Sequence, residues 1–151
     1  MRFIVMVRAT KDSESGAQPD PKVFADMARF NEELTKAGVM LAGEGLHPSS
    51  NGARLRFSGD TRTVIDGPFT ETKELIAGFW MWKVNSREEA IEWLKRCPHP
   101  FPGQDAEIEL RQVYELEDFC GVPEELREQE KRLRAQLENA QVEEQNELKA
   151  S

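Results

Sequence analysis

Ile76-Ala77-Gly78-Phe79-Trp80-Met81-Trp82-Lys83-Val84 is the longest strand signal in the chain, and it is apolar on both alternating sides. A strand reads this way when both faces of its sheet are covered. Arg2 to Arg8 has the same character through Phe3-Ile4-Val5-Met6-Val7. Between these two lie a polar loop, Lys11 to Gln18, and a helix opened by Asp20 as N-cap and Pro21 at its first position. Val23, Met27, Phe30, Leu34 and Ala37 form its apolar stripe, and Gly38 stops it. Val39 to Ala42 is the next strand, ending in Gly43-Glu44-Gly45 and the kink at His47-Pro48. Arg54 to Ser58 and Thr61 to Ile65, separated by Gly59-Asp60, read as a hairpin. Beyond the long strand, Ser86-Arg87-Glu88-Glu89 is a capping box that opens a helix carrying Ala90, Ile91, Leu94 and Cys97, closed by Pro98. Glu107 to Tyr114 alternates as a final strand.

Strand, helix, two or three strands, helix, strand is the order of an α+β domain of the ferredoxin-like, split βαβ type. Two helices cover one face of such a sheet. The other face would expose more apolar surface than the few hundred Å2 that monomers tolerate, so a second copy is expected to cover it as a homodimer. The alternative is that Trp80 or Trp82 packs under the chain's own loops.

Asp66-Gly67-Pro68-Phe69 lies between the hairpin and the long strand and sets a carboxylate on a stiff turn. The Asp66 side chain is expected either to point into a pocket or to hold the turn through amides two residues on, with Gly67 supplying unusual backbone angles. Glu44, His47 and Glu71 also adjoin strand ends or kinks, and with Asp66 they are the candidate catalytic groups. Two carboxylates in a partly apolar cleft push their pKa values apart, and histidine moves protons near neutrality. The competing reading pairs Glu44 and Glu71 with Lys73 or arginines on the surface. Lys73, Phe69 and Trp80 are the candidates for binding a small-molecule ligand, although Phe79, Trp80 and Trp82 equally suit core and dimer contacts.

The same residues carry a resemblance. Asp66-Gly67-Pro68-Phe69, continued by Thr70-Glu71-Thr72-Lys73-Glu74 and Gly78-Phe79, with the upstream Ala42-Gly43-Glu44-Gly45-Leu46-His47-Pro48, resembles the DGPF subgroup of YCII-related proteins over about Met1 to Phe119. The resemblance implies face-to-face dimeric α+β barrels and a signalling context, because DGPF relatives are commonly encoded beside extracytoplasmic-function sigma factors. Some YCII relatives resemble acid-base enzymes with a histidine and aspartate pair, the histidine lying on the first helix. Asp20 to Ala37 has no histidine, so His47 with Asp66 would be a substitute pair.

Two functions follow as expectations. One is a small acid-base enzyme of isomerase, lyase or dehalogenase type, using neither metal nor organic cofactor. The other is a non-catalytic ligand-binding or regulatory dimer. The 151 residues fit one domain, residues 1–119, followed by a charged helical tail, residues 120–151. Cys97 and Cys120 lack CxxC spacing and make no zinc pattern with His47 and His99. Cys97, in the last turn of its helix, is not expected to be a nucleophile, and His99 between two prolines reads as connector. A net charge of -8 argues against nucleic acid as partner. No apolar run approaches the ~18 residues of a membrane span, and Met1-Arg2-Phe3 enters a strand directly, so a cytoplasmic protein is expected. In the tail, Leu126, Leu133, Leu137 and Ala140 sit near heptad spacing among the pairs Glu128–Arg132 and Glu130–Arg134. It reads as a helix that docks on a protein partner or frays, or as a solvated tail.

Overall fold

The computed structural model of the chain describes residues 1–150, which divide into two compact units, Met1–Val113 and the segment from Tyr114 onward. Along the first unit run β1 (Arg2–Arg8), α1 (Lys11–Glu14), α2 (Pro21–Lys36), β2 (Met40–Gly45), β3 (Ala53–Ser58), β4 (Thr61–Asp66), β5 (Ile76–Lys83), α3 (Arg87–Lys95) and β6 (Ile108–Gln112). Four strands make an antiparallel sheet in the order β2-β5-β1-β6, and β3 with β4 forms a separate two-stranded sheet. This is the ferredoxin-like split βαβ arrangement, with the hairpin inserted between its halves.

Register decides which side chains are buried. Val5 stands opposite Trp80 and Phe3 opposite Trp82, so these four share the helix-covered face of the sheet. Phe30 and Leu34 from α2 and Ala90 from α3 close over them. The Phe30 ring meets Trp80 and Trp82 edge-on, at centroid distances of 6.2 and 6.3 Å. Burying Phe30 or Leu34 contributes about 1.5–3 kcal/mol each. Both indoles of β5 are therefore covered by the chain's own helices, Trp82 completely, and neither waits for a second copy. The opposite face carries Ile4, Met6, Phe79 and Met81, all half-buried, with Ala42 beside Met81. The ion pair Arg8–Glu109, at 3.4 Å, lies at its margin.

The helix ends follow local chemistry. Asp20 accepts from Lys22 N–H at 2.7 Å, and Gly38, at φ +70, takes the left-handed position beyond α2. Ser86 accepts from Glu89 N–H at 3.1 Å as the capping pattern requires. The Glu89 carboxylate reaches one residue further than expected and accepts from Asn85 N–H and Nδ2. Lys11 to Gln18 is not all loop: Thr10 and Ser13 cap one another and hold the single turn of α1. Strand β2 continues three residues past Ala42, through Gly43-Glu44-Gly45.

In the second unit, α4 (Glu124–Ala150) is a continuous helix. The Arg127 guanidinium donates to the carbonyls of Leu116, Phe119 and Val122 at 2.9, 2.6 and 3.2 Å. Glu130 pairs with Arg134 at 3.0 Å, whereas Glu128 takes Lys131 at 2.8 Å as its ion-pair partner instead of Arg132. Leu126, Leu133 and Leu137 are exposed.

Candidate functional site

Three glycines meet at the β2 edge of the sheet, on the helix-covered side. Gly43 pairs with Trp80, Gly45 pairs with Gly78, and Gly78 faces Val7 across β1. Two of them have a steric reason to lack a side chain, and the third has none. A Cβ on Gly43 would stand 2.6 Å from Trp80 Cδ1 and 2.8 Å from Met40 Cε. One on Gly78 would stand 2.9 Å from the Glu44 carbonyl oxygen. One on Gly45 would meet nothing within 4 Å. Trp80 and Met40 fill the space beside Gly43, and the Glu44 carbonyl that beside Gly78, whereas Gly45 opens onto a cleft of about 1140 Å3, large enough for a small organic molecule. Met27 and Asn31 of α2, the segment from α1 to Asp20, His47-Pro48 and the connector Pro98 to Pro102 make its walls.

The polar groups of the cleft are few and differently engaged. Trp80 Nε1 donates to Asn31 Oδ1 at 2.8 Å, so this indole offers the cleft only its ring. His99 Nδ1 accepts from Phe101 N–H at 3.1 Å, which leaves the proton of the neutral imidazole on Nε2. His47, the other histidine, is exposed on the wall. Among the described residues no carboxylate is bonded to either histidine. A hydrogen bond from Lys22, at 2.8 Å, holds the Asp26 carboxyl below its usual range, with smaller help from Arg29. Asp12 accepts from Gln104 Nε2 at 3.2 Å, which ties α1 to the connector.

The candidates read from the sequence therefore separate into two groups. Glu44, His47 and Trp80 border the cleft. Strand alternation sets the Glu44 side chain beside Phe79 on the other side of β2, so Glu44 stands at the rim and not on the floor. Asp66, Phe69, Glu71 and Lys73 do not line it, and Asp66, Glu71 and Lys73 are exposed. The Asp66 carboxylate finds no amide two residues on, because that residue is Pro68. The amides of this turn go elsewhere: Gly67 N–H donates to Gly52 O at 2.9 Å, and Phe69 N–H to Ser49 Oγ at 3.0 Å. The Phe69 ring carries the Arg54 guanidinium 3.8 Å from its centroid. Gly67 has no positive φ; its reason is proximity, since a Cβ there would fall 1.7 Å from Ser49 O.

Sequence reasoning missed three residues. The Glu14 carboxylate accepts from Ser49 N–H at 3.1 Å and from Ser49 Oγ–H, so Glu14 and Ser49 join α1, the segment after His47-Pro48 and the Phe69 turn in one network. Nothing in the spacing of Glu14 and Ser49 announces that pair. His99 had a signal, because the prolines on both sides of it stiffen its backbone and aim its ring. Cys97 stays out of the chemistry: burial pushes its thiol up to about 11, and it donates to Pro98 O at 3.4 Å.

A ferredoxin-like α+β protein with a glycine-floored cleft is the class that this geometry defines. The chain matches the YCII-related domain over residues 1–117 and belongs to that family. An uncharacterized protein of Rhizobium meliloti (strain 1021) is 32% identical over 85 residues, which span 56% of this chain and 68% of the relative. Among solved structures, the 5-chloro-2-hydroxyhydroquinone dehydrochlorinase of Burkholderia phenoliruptrix AC1100, in complex with 2,5-dihydroxybenzoquinone, aligns over 79% of this chain and 100% of its own at 17% identity and a TM-score of 0.38. Among the described residues no helix is long and apolar enough to cross a membrane, and no group of three or more His, Cys, Asp and Glu side chains is placed to hold a metal ion.

Proposed function

We propose that the glycine-floored cleft binds a small molecule and that the protein is an acid-base enzyme in which His47 moves a proton at the cleft wall. The observation that carries this reading is the convergence of both histidines on one cleft of about 1140 Å3 with apolar walls. Glu44 at the rim serves as a binding or acid group. Asp66 and Glu71 take no direct part; the Asp66 turn supports Ser49 beneath His47-Pro48. Proton transfer at carbon or oxygen needs no redox group, so the reading asks for neither metal nor organic cofactor.

A second reading, a non-catalytic ligand-binding or regulatory dimer, is favoured by one observation: among the described residues neither histidine has a carboxylate to orient it. In both readings the half-buried face of Ile4, Met6, Phe79 and Met81 is covered by a second copy, and the exposed leucines of α4 are open to a protein partner.

A thermal-shift screen finds ligands, since a molecule that prefers the folded state raises apparent stability by RT ln(1 + [L]/Kd). The hits are then followed by NMR for product. The enzyme reading expects turnover that falls about 10²-fold or more in His47→Asn, the usual contribution of a general acid or base. Hits that bind tightly and emerge unchanged from the wild-type protein select the binding reading.

A further inference from the structure

Gly45 stands apart from the other glycines of the cleft. Gly43 is required by Trp80 and Met40, and Gly78 by the carbonyl of Glu44. At position 45 neither a positive φ nor a neighbour within 4 Å asks for glycine, and a strand normally gains from a side chain that packs. What the missing side chain leaves is exposed backbone at Gly45, which lines the cleft beside the buried Gly78 that pairs with it.

The surfaces around this patch are flat and apolar. Trp80 presents its ring with its N–H already spent on Asn31, and Met27 and Phe101 stand on the walls. Peptide planes and aromatic faces accept a planar ring lying between them better than a branched aliphatic group. Charge narrows the choice. Asp12, Asp20, Asp26 and Glu44 border the cleft against a single lysine, Lys22, whose ammonium is held by Asp26 at 2.8 Å. Glu44 has no ion-pair or hydrogen-bond partner through its side chain among the described residues. A border with more carboxylates than cations suits an ammonium group and repels an acid.

We propose that Gly45 is the specificity-determining position of the cleft, and that its bare floor seats a planar ring bearing an amine in preference to an aromatic acid. This rests on the cleft being the ligand site. It goes further by naming the chemical class of the ligand and the residue that selects for its shape.

Three probes with one ring and three charges test the class: 2-phenylethylamine, 2-phenylethanol and phenylacetate, titrated calorimetrically into the full chain at low and at moderate salt. The amine is expected to bind about tenfold more tightly than the acid at low salt, with the margin shrinking as salt screens the rim. Two variants test the floor. Gly45→Ala, which adds a methyl into open space, is expected to fold as the wild type and weaken the amine several-fold; Gly45→Phe is expected to abolish binding, with circular dichroism confirming the fold. Phenylacetate binding as tightly as the amine, none of the probes binding, or Gly45→Ala and a folded Gly45→Phe both binding as the wild type each overturn the proposal. The cleft itself is judged separately. A screening hit that Gly45→Phe abolishes while all three probes fail keeps the cleft and discards the amine; a hit indifferent to Gly45→Phe discards the cleft as well.

Discussion

At the scale of single residues, the reason for a glycine is a matter of what stands near its missing Cβ, and that is a fact about space. Gly67 could be placed in a turn from the sequence, but the expected reason was backbone freedom. The structure gives proximity to Ser49 O as the reason, and no reading of neighbours in sequence could foresee a residue 18 positions earlier. Three alanine substitutions should therefore diverge. Gly67→Ala forces a methyl onto a backbone carbonyl and should cost more than about 3 kcal/mol, the upper end for overpacking. Gly43→Ala meets side-chain atoms that can shift, and should cost about 1–3 kcal/mol. Gly45→Ala should stay within about 0.5 kcal/mol of the wild type or gain slightly, as such changes do where the backbone permits them. Urea unfolding of the three variants measures this order, and Gly43→Ala matching Gly45→Ala would refute it.

At the scale of elements, alternation and capping residues were enough to find β1, α2, β5, α3 and β6, because each buries one regular face and carries its own end signals. They failed where an element depends on a partner across space. Strand β2 runs on through Gly43-Glu44-Gly45 because β5 pairs with it, although glycines discourage a strand in isolation. The single turn of α1 is too short to show a period, and Thr10 with Ser13 holds it. In the second unit the key contact was equally hidden: Arg127 gathers three carbonyls, and no pattern of charges announces it. Arg127→Ala should leave those carbonyls to water and fray the start of α4, which hydrogen exchange of the amides from Glu124 to Glu130 would report as faster by about tenfold or more, three hydrogen bonds of ~1 kcal/mol each being lost. Arg127→Lys restores charge but not the fork of donors, and should rescue little.

At the scale of the molecule, the sequence showed that β1 and β5 are apolar on both faces but not which aromatic ring belongs to which. The register assigns Trp80 and Trp82 to the intramolecular core and Phe79 to the face opposite. The face proposed for a second copy is thus made of Ile4, Met6, Phe79 and Met81, less aromatic than a face carrying the indoles would be. Stable dimers bury about 1,200–2,000 Å2 in all, which a sheet face of this kind can supply. Sedimentation should find a dimer at micromolar concentration, and Met81→Lys, which sets a charge in the middle of that face, should shift it to single chains with unchanged circular dichroism. A wild-type protein that sediments as a single chain would refute the pairing. The candidate site was legible only in part: the kink at His47-Pro48 was visible, but the cleft depends on where Gly45, Gly78 and the Pro98–Pro102 connector meet, and those are far apart in sequence.

The Trp80 ring lies on the cleft wall, is only 7% exposed, and its centroid is 6.1 Å from that of Trp82. Two indoles this close share excitation, so a molecule resting against the first alters light emitted by both. Trp93 borders no part of the cleft and stacks with Arg96 instead, at 4.3 Å, which makes it a constant background. Titrating a ligand should therefore quench or shift the intrinsic fluorescence in proportion to occupancy, and Trp93→Phe should leave that response intact. The fold comes with its own optical gauge, readable without dye or label.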